Sequence, residues 1–147
     1  MLTSAWMESY DAFAPYAATL KTLRRALSQR GFEIMRECDL GSRIRRRRGT
    51  TLHCRILYVT EPELFATALS THASSALWLP IPVVLCGSEE FVSILRPAEA
   101  IVRDRAALLG LDALVERSYQ VLTEALESVG VSKARTNQPD MLWALRA

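Results

Sequence analysis

The sequence predicts an α+β fold, a two-layer sandwich with a mixed or antiparallel sheet of about five strands and helices packed on one face. Three observations carry this. Segments of strand period and helical period follow one another without strict strand–helix repetition. A hairpin signal, Gly87-Ser88-Glu89-Glu90, joins two apolar runs. The pattern after Pro97 is helical as far as Gly130, so the strands come first and the longest helical stretch last.

Taken in order, Trp6 to Tyr10 reads as a short strand, with Trp6, Glu8 and Tyr10 on one face. Asp11 offers an N-cap side chain and Pro15 suits a first helical turn. Tyr16, Leu20, Leu23 and Leu27 then recur at helical spacing, and Gly31 is the expected stop. Phe32 to Glu37 alternates apolar and polar residues as a half-buried strand does, which places Glu33, Met35 and Glu37 on one face. Asp39 caps a short helix that carries Leu40 and Ile44 inward and ends at Gly49. Leu52 to Val59 is a more buried strand, and Glu61-Pro62 opens a helix whose Leu64, Phe65, Ala68 and Leu69 form an apolar stripe.

Thr71 to Ser75 reads as a loop. Leu77 to Cys86 is extended, and its prolines put its first half at a sheet edge or in a bulge. Phe91 to Leu95 forms the second arm of the hairpin, ending at Arg96-Pro97. The helical stretch beyond breaks at Gly110, with Leu114, Tyr119, Leu122, Leu126 and Val129 on one face. Residues 1–130 therefore form a single domain. Residues 131–147 are an extension that closes with Met141-Leu142-Trp143-Ala144-Leu145, read either as a short docking helix capped by Asp140 or as a tail that binds elsewhere.

Composition narrows the class. Of 147 residues, 50% are hydrophobic and 23% charged, a globular balance. The N-terminus lacks a basic region and is followed by Glu8 and Asp11, unlike a secretion signal. No apolar run approaches the roughly 18 residues of a membrane span. Cys38, Cys54 and Cys86 are odd in number and widely spaced, which points to reduced thiols in a cytoplasmic protein and to no metal site.

The helix running into Gly31-Phe32, the strand ending at Asp39, the short helix closed by Gly49 and the strand Leu52 to Val59 form one set of features. Glu61-Pro62 with its helix and Leu79-Pro80 entering Val83-Val84, then a hairpin and Pro97, form another. Together, from Trp6 to Leu109, they resemble the bacterial domain-of-unknown-function 302 family. The resemblance implies a compact two-layer α+β domain, often dimeric, with no established reaction. It also marks departures. Where members of that family often carry Asn or Asp before the final proline, this chain has Leu95-Arg96-Pro97. Where they often carry a Gly-rich turn, it has Glu63-Leu64-Phe65-Ala66.

The most unusual feature is Arg43-Ile44-Arg45-Arg46-Arg47-Arg48. Arg43, Arg46 and Arg47 share a helix face, and their mutual repulsion is relieved by an anion that guanidinium groups grip bidentately. With Arg55 on the adjacent strand, they are the candidate contacts for an anionic small molecule or an acidic protein. Nucleic acid is the alternative, although no aromatic lies within the run and the net charge is only +2. The plain reading is a solvated face neutralised by nearby acids.

The weakest alternative is an enzyme with a spatially assembled carboxylate or thiol site, which needs Asp39 or Cys54 in a concave pocket; the ordinary reading of Glu33, Glu37 and Asp39 is a strand edge and a helix cap. His53 and Cys54 are neighbours on a strand and point to opposite faces. Ser74-Ser75 lacks the glycine flanks of a nucleophile elbow, and no Gly-rich phosphate loop is present, so no cofactor is expected. Tyr58 and Phe91 are expected in the core, and Trp143 is the candidate interface anchor, here of a homodimer.

Overall fold

The computed structural model describes residues 6–48 and 52–132, with backbone only for 46–48. Strand β1 (Met7–Ala12) leads into helix α1 (Tyr16–Gln29), followed by β2 (Glu33–Asp39), α2 (Leu40–Arg48), β3 (His53–Thr60) and α3 (Pro62–Thr71). A short 3-10 helix (Ala73–Leu77) precedes β4 (Ile81–Gly87), β5 (Val92–Pro97), α4 (Glu99–Ala107), α5 (Asp112–Glu127) and β6 (Val131–Ser132). The strands form one antiparallel sheet in the order β2-β3-β4-β5-β1-β6. The sixth strand, described over Val131–Ser132, joins the start of the segment read as an extension to β1.

One face of the sheet builds the core. Leu57 and Val59 of β3, Ile81, Val83 and Leu85 of β4, Val92 and Ile94 of β5, and Tyr10 and Ala12 of β1 supply it. Against them pack Leu23 and Leu27 of α1, Leu64 and Ala68 of α3, Val102 and Ala106 of α4, and Tyr119, Leu122 and Leu126 of α5. Each is among the buried residues, as period 2 on the strands and period 3.6 on the helices require.

α1 ends where its glycine allows. Gly31 takes φ +84°, and the Phe32 amide returns to the Leu27 carbonyl at 3.0 Å, closing the last turn. Its start differs from expectation. Asp11 lies opposite Ser93 within the β1–β5 ladder, so the strand continues through it, and Pro15 precedes the helix with no side-chain cap. The last helical stretch does break at Gly110, between α4 and α5.

Two further expectations change for reasons of pairing. β2 and β3 shift register between Ile34 and Arg36, leaving Met35 as an extra residue. Glu33 then faces Thr60 while Glu37 faces Leu57, so the two glutamates lie on opposite faces rather than one. Tyr58 and Phe91 are half-buried rather than core. Tyr58 alternates with Leu57 and Val59 and so points away from the helices. Phe91 lies in the β4–β5 turn, edge-on to exposed Phe13 at 6.1 Å. Pro82 is tolerated in β4 because the β5 ladder reaches only from Val84 to Gly87, so at Pro82 the strand is paired with β3 alone.

Candidate functional site

The arginine-rich segment forms α2, as the cap at Asp39 implies. The Ser42 amide donates to Asp39 Oδ1 at 2.9 Å, satisfying an amide of the first turn. The arginines crowd toward the C-terminal end, where the helix dipole favours cations. Gly41 brings α2 onto the start of β3: a Cβ there would stand 2.7 Å from the Cys54 nitrogen and from the Leu52 carbonyl oxygen. Arg45 fastens the same contact, its Nη1 donating to that carbonyl at 2.9 Å. Arg43 is exposed on the helix surface. The side chains of Arg46 and Arg47, the Gly49 stop and Trp143 lie outside the described residues.

Arg55 sits beneath this helix among acids. Its Nη1 donates to Glu37 Oε1 at 3.2 Å, and its Nη2 lies 3.6 Å from Asp39 Oδ2. Glu37 is also gripped in a two-pronged bond by Arg24, Nε to Oε2 at 2.8 Å and Nη2 to Oε1 at 2.6 Å. Arg24 first, then Arg55, hold the Glu37 carboxyl below its ordinary pKa against the opposing effect of burial. The bulge at Met35 makes this cluster possible, because it turns Glu37 to the face that carries Arg55.

Beside it, Tyr16 of α1 stacks on His53 of β3, ring centroids 4.8 Å apart and planes 23° from parallel. Tyr16 is buried, whereas the His53 side chain keeps 28% exposure and its Nε2 meets Glu89 Oε1 at 2.8 Å. Burial raises the Tyr16 pKa, partly offset by Arg55 against its hydroxyl, and the charges of Asp39 and Arg45 also reach it. Sequence reading missed this pair because Tyr16 and His53 are far apart in the chain. The parity shared by His53, Arg55 and Leu57 was the one available signal.

Both groups on which an enzymatic reading rested are engaged elsewhere. Asp39 caps α2. Cys54 stands directly opposite Cys86 across β3 and β4, Cα atoms 4.3 Å apart, and the two form a disulfide. The expectation of three reduced thiols therefore holds for Cys38 alone, which is half-buried. The correction arises from strand register, which brings residues 32 apart into direct opposition. Among the described residues, no group of three or more His, Cys, Asp or Glu side chains is placed to hold a metal ion. Nor is any helix among them long and apolar enough to cross a membrane.

A second polar centre lies within the core. Arg96, 4% exposed, pairs with Glu8 and donates from Nη2 to Thr123 Oγ1 at 2.9 Å and from Nε to the Tyr10 hydroxyl at 3.3 Å. Its guanidinium carbon stands 4.9 Å from the centroid of the Tyr119 ring, a cation–π contact. Arg96 Nη1 and the Tyr119 hydroxyl are buried without hydrogen-bond partners. The alternation Val92, Ile94, Arg96 pointed to this placement, but Arg96-Pro97 read only as the end of a strand.

The comparisons agree with this architecture. The family model described as "Domain of unknown function DUF302" matches residues 9–129. The crystal structure of an uncharacterized conserved DUF302 protein from Bacillus stearothermophilus superposes with a TM-score of 0.75 at 17% identity, covering 86% of this chain and 99% of that one. At that identity the likeness shows the fold alone. A search of curated proteins finds no match. With the strand order, the helices on the sheet and the family model in agreement over most of its length, the chain belongs to the DUF302 family.

Proposed function

We propose that this domain is a non-enzymatic binding module for an anionic small molecule or an acidic protein partner, with Arg43, Arg46 and Arg47 of α2 as its contacts. One observation carries the reading: the acids nearest α2 are already committed. Glu37 is held by Arg24 and Arg55, and Asp39 caps the helix and faces Arg55. Among the described residues no carboxylate pairs with Arg43 or Arg45. The local neutralisation that a merely solvated basic face relies on is therefore directed at other residues, and an incoming anion supplies it. Arg55 on the adjacent strand, held by Glu37 and Asp39, is the supporting contact.

Binding of inorganic triphosphate, followed by calorimetry at low and moderate salt, tests the reading. Replacing Arg43, Arg46 and Arg47 together by Gln is expected to abolish binding while the far-UV spectrum is unchanged. Unaltered affinity in that folded variant would refute it. A short random duplex in the same titration separates the alternative: preference for it, with a steep loss of affinity in salt, marks nucleic-acid binding.

The same reading takes the domain as a cytoplasmic homodimer anchored through Trp143, and sedimentation of the Trp143→Ala variant tests the dimer. In a reducing cytoplasm Cys54 and Cys86 would stand as thiols. Rapid alkylation on lysis distinguishes three free thiols from one.

A further inference from the structure

A basic helix alone accepts any anion, and the sequence places no aromatic within it. Folding supplies one. β3 puts His53 and Arg55 on the same face, two residues apart, and the Leu52 carbonyl immediately before His53 is the group that Arg45 of α2 holds. The helix of arginines and the imidazole ring are thus joined through a single residue. Tyr16 backs the ring as a stacked, buried support, so the exposed part of the aromatic pair belongs to His53.

We infer that the anion taken by this site is a nucleotide, its base stacking on His53 and its phosphates meeting Arg43 and Arg45 of α2. The inference rests on the anion-binding reading above and adds the ligand class. Stacking of a base on an aromatic side chain is tolerant of base identity, and a pre-stacked ring loses little freedom on accepting one. Arg43 and Arg45 provide positive charge on the same helix. Arg55 is balanced by Glu37 and Asp39, and the carboxylate of Glu89, with 71% of its side chain exposed, stands 2.8 Å from His53 Nε2 at the ring edge.

The test compares adenosine triphosphate with inorganic triphosphate on the purified full chain. Base stacking is worth ~1–3 kcal/mol, so the nucleotide should bind at least about fivefold more tightly. His53→Ala should remove that advantage and leave triphosphate affinity as it was, whereas His53→Phe should keep it. An unchanged urea midpoint in both variants shows that the fold is intact. Equal affinity for the two ligands in the unaltered protein overturns the nucleotide assignment and leaves anion binding standing. An advantage that survives His53→Ala overturns the role of the ring. Binding of neither ligand overturns both the anion-binding reading and this one.

Discussion

Replacing Arg96 by Met removes the most deeply buried charge described in the fold and should cost the domain a large share of its stability. Arg96 is 4% exposed and is held by Glu8, Thr123 and Tyr10 over the Tyr119 ring. Met fills much of the same volume, so the packing loss is small. The charge loss is not, because the Glu8 carboxylate, with only 20% of its side chain exposed, is left without its guanidinium. Breaking one side of a buried pair costs ~3–5 kcal/mol, and the residual exposure of Glu8 places this case at the lower end. With a urea dependence of ~1–3 kcal/mol per molar, the unfolding midpoint should fall by roughly 1–3 M at unchanged slope. Adding Glu8→Leu to Arg96→Met should recover most of the loss, since two well-packed apolar residues replace a buried pair at little net cost. A single variant whose midpoint moves by less than about 0.3 M would refute this reasoning. So would a double variant as unstable as the sum of its parts.

Other perturbations follow from the same contacts. Tyr119→Phe removes a buried hydroxyl that has no partner and should stabilise by ~1 kcal/mol in urea unfolding. Because burial raises the Tyr119 pKa, its contribution is fully present below the ordinary value of 10.0 and is lost as pH rises beyond it. The Phe variant should show a flatter alkaline limb. Glu37 behaves in the opposite sense: its pKa is lowered, chiefly by Arg24, from the ordinary 4.5. The stability it confers is present above that value and disappears as pH falls through the folded value, so Glu37→Gln should flatten the acid limb of the same curve. Gly41→Ala forces a methyl against the backbone of β3 and should lower the thermal midpoint by an amount equivalent to ~1–3 kcal/mol. Replacing Cys54 and Cys86 by Ala should cost ~4 kcal/mol in non-reducing buffer, from the loop entropy released across their 32-residue separation.

The parts of this fold that were legible in the sequence are those set by local chemistry. The stripe Tyr16, Leu20, Leu23, Leu27 with its Gly31 stop, the Asp39 cap of α2 and the break at Gly110 each depend on a few neighbouring residues. They appear where the spacing placed them. What was not legible depends on register. An alternating strand pattern does not reveal that Met35 is an extra residue, and one such residue moves Glu37 from the face of Glu33 to that of Arg55. The pairing of Cys54 with Cys86 and the stacking of Tyr16 on His53 likewise follow from which strand lies beside which. For the candidate site, Arg43 and Arg55 were visible in the sequence as candidates, but the commitment of Glu37 to Arg24 was not. Nor was the burial of Arg96, whose place on the core face was implied by its alternation with Val92 and Ile94.

The bulge at Met35 has a further consequence at the scale of many molecules. Among the described residues β2 is the outer strand of the sheet, seven residues long, with no further strand paired to its edge. A flat edge of that length is a template on which another copy can add, and repeated addition builds fibrils. The extra residue twists this edge, and exposed Glu33 and Arg36 flank it with charge. On the opposite side, the described part of the sheet ends with β6 (Val131–Ser132). Among the described residues, the β2 margin is thus blunted by irregularity and charge, the two devices that discourage growth strand upon strand.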